Sequence, residues 1–448
     1  MKEGLKSLLL VVMIGISLFL SFSLWETEPT PLPLVPAKYE TPVKIGERRA
    51  WEDLLRPREV ILHLGEDRHT LISPSTPEYS LLWKSLKVLQ FYRFQNVSLT
   101  PQEWNELLTH TRGIEYSYEN PLPIALLRQI LSFPSGLEGQ LPNLNKLWIT
   151  IGNSAEGEQV FLISADEGKV LRGELGKPSD PTFVDFPQLI RMGERKPAWF
   201  PLLSHYPSSW DYLSLRYLPK DPFEAKELDY SVSWVSGEEM ARSLFIDLSV
   251  TREISESGGS RIFTDGSKSL QTNQETGTMR YYVPGYESPN LVSSNQDASY
   301  LLDFMNQHQG WTGQYRIERA DFTAATKLLL FRELVSGRPV YGADNKNAIG
   351  SILLKGTGGF VTEYSRSLLR FHQMEGQKDR LLPSGEELLK RLDREGLPLY
   401  KIDSIEIGYK MVRGDKREQM KLIPSYVVKV KGEDGWHFFD SSSAVGRK

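Results

Sequence analysis

The side chains best suited to bond-making chemistry are scattered along this chain. The seven histidines are His63, His69, His110, His205, His308, His372 and His437, and no two stand four residues apart as in a helical zinc site. His63 falls in an apolar strand pattern and His437 lies beside Trp436, so both read as satisfied or partly exposed histidines, not as ligands. There is no Gly-x-Ser-x-Gly elbow, no Ser-x-x-Lys pair and no Walker loop. Gly356-Thr357-Gly358-Gly359 lies between two strand patterns and reads as a hairpin turn. Asp344-Asn345-Lys346-Asn347 offers oxygens, but Lys346 stands where a calcium loop needs another oxygen. A carboxylate pair for glycoside chemistry would have to be assembled by the fold from the 57 acidic residues. The expectation is a non-enzymatic protein with no catalytic, cofactor-binding or metal-binding residues.

Composition narrows the class. A chain of 448 residues suggests about three domains. The 40% hydrophobic and 25% charged fractions and the ten tryptophans are those of folded protein, not of a disordered stalk. A net charge of −4 leaves no basic surplus to neutralise phosphates, which argues against nucleic acid as a partner. The absence of cysteine excludes a disulfide framework, a thiolate metal site, a thiol nucleophile and a cysteine-linked lipid anchor.

What must position any function is the stretch Ser7 to Trp25, nineteen residues without a charge. As a helix it would span about 28 Å, close to the hydrocarbon core of a bilayer. Lys2 and Lys6 flank one end, Trp25, Glu26 and Glu28 the other, so the amino terminus is expected in the cytoplasm and the rest of the chain outside the cell membrane. The competing reading is a signal peptide cleaved after Ser23. Within the helix Ser17 and Ser21, beside Gly15, make a small-residue ridge on which another membrane helix could pack.

The expected organisation is a cytoplasmic tail at 1–6, a transmembrane helix at 7–25, a Pro-rich spacer at 26–42, an outer domain at 43–200, a central domain at 201–292 and a last domain at 293–448. The class is α+β, with antiparallel sheets and packed helices. Leu81, Leu82, Leu86, Leu89 and Tyr92 have helical spacing after Pro77, and Thr100 with Glu103 makes a capping box. LNKLWITIG, VFLISA and KVLRGEL alternate as strands, with turns at Asn153 to Gly157 and Asp166 to Gly168. Asp265-Gly266 marks a hairpin. Asn295 to Gln309 reads as a helix stopped by Gly310. Ser-Gly-Glu-Glu recurs at Ser236 and Ser384, each time opening a helix, and good capping chemistry explains the recurrence better than duplication does.

The order of these features resembles the YycH family, membrane-anchored regulators of the YycFG (WalRK) two-component system of Gram-positive bacteria. The resemblance is carried by Leu24-Trp25 and the Pro spacer, by Thr264-Asp265-Gly266 and Met279 to Pro284, and by Phe304-Met305-Asn306-Gln307-His308-Gln309-Gly310-Trp311. It continues through Gly337-Arg338-Pro339-Val340, Val361-Thr362-Glu363-Tyr364-Ser365-Arg366, Ile405 to Tyr409 and Leu422 to Tyr426. These motifs read as turns and strand edges. The resemblance implies a regulator that acts with YycI on the sensor histidine kinase YycG (WalK), through the outer domains and the membrane helix, and so bears on cell-wall homeostasis. It implies no catalytic residues. The alternatives from other classes are a membrane-anchored cell-wall hydrolase and a secreted binding protein.

Overall fold

The computed structural model describes residues 2–26, 43–151, 158–176, 185–202, 215–256, 258–284, 298–322, 325–343, 349–416 and 418–440. The spacer at 27–42, the turn at Asn153 to Gly157 and the Asp344 to Asn347 stretch lie outside these residues. The first element is the helix Lys2–Glu26. From Leu9 to Phe22 every side chain is exposed, including Leu10, Val11, Phe19 and Phe22. Among the described residues no helix is long and apolar enough to cross a membrane.

Two sheets follow. The first has nine strands and runs from Glu59–Gly65 to Arg216–Pro219, all its neighbours antiparallel. Its central hairpin pairs Glu59–Gly65 with Arg68–Ile72, which sets His63 directly opposite His69. The helix Pro77–Lys87 begins as expected, with the Thr76 hydroxyl accepting from the Tyr79 amide. The helical spacing nevertheless continues in sequence past the point where the helix ends. Phe91–Val97 forms a strand on Lys169–Leu175, because the buried Phe91 and the ladder outweigh the spacing of Leu89 and Tyr92.

The second sheet has fourteen strands. Strands on both sides of the expected division at 292/293 are hydrogen-bonded to one another. Thr278–Tyr282 pairs with Phe360–Ser367, and Phe223–Trp234 pairs with both Leu369–Leu382 and Gln419–Val430. The strands Arg252–Ser255 to Thr278–Tyr282 of the expected central domain are thus one end of the larger sheet, since ladder partners so far apart in sequence leave no local signal. One pair is parallel, Arg338–Gly342 with Ile402–Arg413.

Local chemistry sets the helix ends. Thr100–Glu103 and Ser236–Glu239 form complete capping boxes, and Ser384 caps its helix by accepting from Glu387. The helix Ser299–Gln307 ends differently from expectation. Its cap is His308, and Gln309, with φ 51°, takes the left-handed position expected of Gly310. The Gly310 amide then donates to Met305 O at 2.8 Å, which closes a Schellman-type turn. One apolar core runs through both halves, from Ile45 and Leu54 to Tyr364 and Leu368.

Candidate functional site

Gly15, Ser17 and Ser21 are all exposed on the first helix, and a Cβ placed on Gly15 would meet nothing within 4 Å. At about 100° per residue, Ser17 and Ser21 share a face while Gly15 is turned roughly 160° away from Ser17. The expected three-residue ridge therefore reduces to the serine pair.

The chain beyond the spacer docks first on the carboxy-terminal half. The Ile45 amide donates to His308 O at 3.1 Å and the Glu47 amide to Trp311 O at 2.9 Å. Asn306 clamps the next residue, accepting from the Arg49 amide at 3.0 Å and donating to Arg49 O at 2.9 Å. Its Oδ1 also accepts from the indole of the fully buried Trp311 at 3.1 Å. Gly46 is required here, because a Cβ would lie 2.2 Å from Trp311 O. Arg366, fully buried, holds the far side by donating to Gly310 O, to the Tyr364 hydroxyl and to Thr312 Oγ1. Two motifs that read as turns and strand edges, Phe304 to Trp311 and Val361 to Arg366, thus build one dock for residues 45–49.

Inside the first sheet, Glu115 is the centre of a closed polar cluster. It pairs with Lys146 at 2.9 Å and accepts from Ser117 at 2.8 Å and from the Tyr217 hydroxyl at 3.0 Å. His63 Nε2 stands 3.5 Å from it, stacked on Trp148, with His63 Nδ1 and His69 Nδ1 3.0 Å apart. Burial raises the Glu115 pKa, but the Lys146 charge and His63 reverse the shift and hold the carboxyl well below the carboxylate range. Burial and the neighbouring His63 lower His69 to about 4. Among the described residues no group of three metal-ligating side chains converges. Their cross-strand pairing brings His63 and His69 together. In the sequence, the only trace of it is that the two flank Gly65-Glu66-Asp67.

A second charged cluster lies where the two sheets meet. Arg316, from the second sheet, reaches Glu119 of the first at 3.1 Å and Glu406 at 3.3 Å. Glu406 also accepts from the Tyr341 hydroxyl, and Arg332 pairs with Glu318 at 2.6 Å. Burial together with the charges of Glu406 and Glu318 pushes Glu119 up to about 8, while Arg316 and Arg58 help to keep Glu406 low. Beside this cluster is a cavity of about 60 Å³, lined by Trp199 and Tyr217 of the first sheet and by Phe223, Arg338, Ile405 and Tyr426 of the second. The halves meet closely at its rim. A Cβ on Gly337, whose φ is +74°, would fall 2.6 Å from the Ser75 backbone nitrogen.

This geometry defines a two-sheet α+β protein with two buried polar clusters, one centred on Glu115 and one on Arg316. The family described as YycH protein, N-terminal domain, matches residues 3–179, and that described as YycH protein, C-terminal domain, matches residues 214–439. The chain belongs to the YycH family. It is 18% identical to a Bacillus subtilis (strain 168) protein named "Two-component system WalR/WalK regulatory protein YycH", over 96% of this chain and 95% of that one. The crystal structure of YycH from Bacillus subtilis superposes with a TM-score of 0.69 at 15% identity, covering 90% of this chain and 99% of that chain, which is a likeness of fold.

Proposed function

We propose that this protein is a non-enzymatic, membrane-anchored regulator of a WalK-type sensor histidine kinase, acting together with a YycI-type partner. The carrying observation is the first helix, apolar and exposed on every side from Leu9 to Phe22, joined to a folded body by a docked segment. An apolar surface of that kind needs a lipid or protein environment. In this reading the uncharged run Ser7 to Trp25, longer than the Leu9 to Phe22 stretch whose side chains are described, spans the cell membrane once, with its amino terminus in the cytoplasm, and the two sheets form the extracellular part. The outer body supplies most of the affinity for the partners, and the Ser17 and Ser21 face biases the kinase's membrane helices.

Lipid tails are as apolar as leucine, so helices associate in a membrane through close approach and polar contacts. Each serine would contribute about 0.6 kcal/mol, enough to bias a two-state kinase several-fold. The test is kinase-dependent reporter output in cells carrying Ser17→Leu with Ser21→Leu at normal abundance, beside Leu10→Ile with Leu18→Ile. The serine pair should change output and the leucine pair should not. Equal outputs would place the regulatory contact outside this face.

A further inference from the structure

The junction cavity has a charge surplus that the protein does not neutralise. Five charged side chains line it, Arg58, Arg316 and Arg338 against Glu59 and Glu406, so the lining carries a net positive charge. Arg58 and Arg316 have carboxylate partners, with Arg58 on Glu59 at 2.8 Å. Arg338 has none among the described residues. Its guanidinium lies 5.1 Å from the centre of the Phe223 ring, a contact that leaves its charge uncompensated. In addition, Arg58 Nε, Arg316 Nε and Arg338 Nη1 are buried N–H groups that find no acceptor. Of the three, Arg338 Nη1 belongs to the guanidinium without a carboxylate partner, so an acceptor that enters the cavity is matched there. The guanidinium fork matches a carboxylate in particular.

We propose that this cavity binds a small organic carboxylate, whose oxygens are held by Arg338 and whose apolar body packs against Trp199 and Phe223. A carboxylate is favoured over a larger oxyanion because the surplus is a single charge and most of the wall is apolar and aromatic. The volume, about 60 Å³, accommodates a few water-sized groups, in keeping with a short ligand. The cavity opens to solvent past half-exposed residues that include Ser73, Pro74, Phe223 and Arg338 itself. Trp199 belongs to the first sheet and Arg338 to the second, so a bound carboxylate ties the two halves together and stabilises their closed arrangement by mass action. The proposal also gives a role to Arg338 within Gly337-Arg338-Pro339-Val340. In that motif Gly337 permits the close approach and Arg338 supplies the charge.

The test uses the full chain in nonionic detergent micelles, with propionate and butyrate as probes and propionamide as the neutral counterpart of propionate, read by calorimetry. It requires no kinase, so its result is independent of the regulatory reading. At least one carboxylate should bind saturably and raise the melting temperature, with propionamide about tenfold weaker or worse. Arg338→Met should lose that binding by about tenfold or more, yet melt without ligand near the wild-type temperature, because the half-exposed guanidinium forms no ion pair among the described residues. Arg338→Lys, which keeps the charge but loses the fork, should bind at an intermediate level. The proposal is overturned if propionamide binds as well as propionate, if Arg338→Met binds like wild type, or if neither carboxylate saturates below roughly 10 mM.

Discussion

Glu115 and Glu119 lie four residues apart on the strand Arg112–Pro123, and their side chains are 1% and 3% exposed, yet their carboxyls are shifted in opposite directions. Glu115 sits within one sheet, where Lys146 on the neighbouring strand, Ser117 on its own strand and Tyr217 from the last strand of the same sheet reach it. Glu119 sits where two sheets meet and shares Arg316 with Glu406, a like charge from the other half. A charge buried inside one element can be matched locally, whereas charges brought together by docking two elements leave remainders. Here those remainders are a carboxyl that favours its proton and an arginine without an anion. The first cluster therefore gives way only on the acid side, through His69, whereas the second loses stability as pH rises.

The largest expected effect follows from breaking the matched cluster. Lys146→Met leaves Glu115 buried without its cation and should cost about 3–5 kcal/mol of stability at pH 7. Glu119→Gln resembles the form that Glu119 already favours at pH 7 and should change stability by less than about 1 kcal/mol. Chemical denaturation of the two variants beside wild type makes the measurement. Equal losses would erase the distinction between the clusters.

A smaller effect sharpens the same contrast through pH. Glu119 is pushed above its ordinary 4.5 to about 8, so its stabilising contribution is complete below about 4.5 and is lost as pH rises to 8. Glu333, whose burial pushes it up to about 7, adds in the same direction. His69 is lowered from 6.5 to about 4, so its contribution is complete above 6.5 and is lost as pH falls to 4, and His308 behaves alike. Between pH 4.5 and 6.5 the two carboxyls and the two histidines oppose one another, so the melting temperature should be nearly flat there and fall on both sides. Its fall between 6.5 and 8 should be visibly reduced in Glu119→Gln, while the fall on the acid side stays. A Glu119→Gln profile that overlays wild type above pH 6.5 would show that the junction carboxyl does not hold its proton.

The legible parts of this molecule were those with local causes. Thr100, Ser236 and Ser384 announced their helices because a cap and its amide partner are three residues apart, and Pro77 announced another through its place in a first turn. The dock was not legible, since Arg49 and Asn306 are 257 residues apart and nothing in either stretch encodes the other. The same is true of His63 and His69 meeting Glu115, and of Arg338, which reads as part of a turn until the other sheet closes over it. The family motifs nevertheless marked the right places. Phe304 to Trp311 and Val361 to Arg366 converge on the segment leading from the first helix, and Gly337-Arg338 forms the junction. What the motifs withheld was which of them touch.

The most direct measurement of the central claim is recovery of the intact protein, with its first helix, from membranes of cells at normal abundance, followed by identification of what copurifies. The account predicts that a WalK-type kinase and a YycI-type protein are recovered in amounts comparable to the bait, and that kinase-dependent reporter output shifts when the gene is deleted. Recovery of neither protein, with unchanged output on deletion, would contradict it.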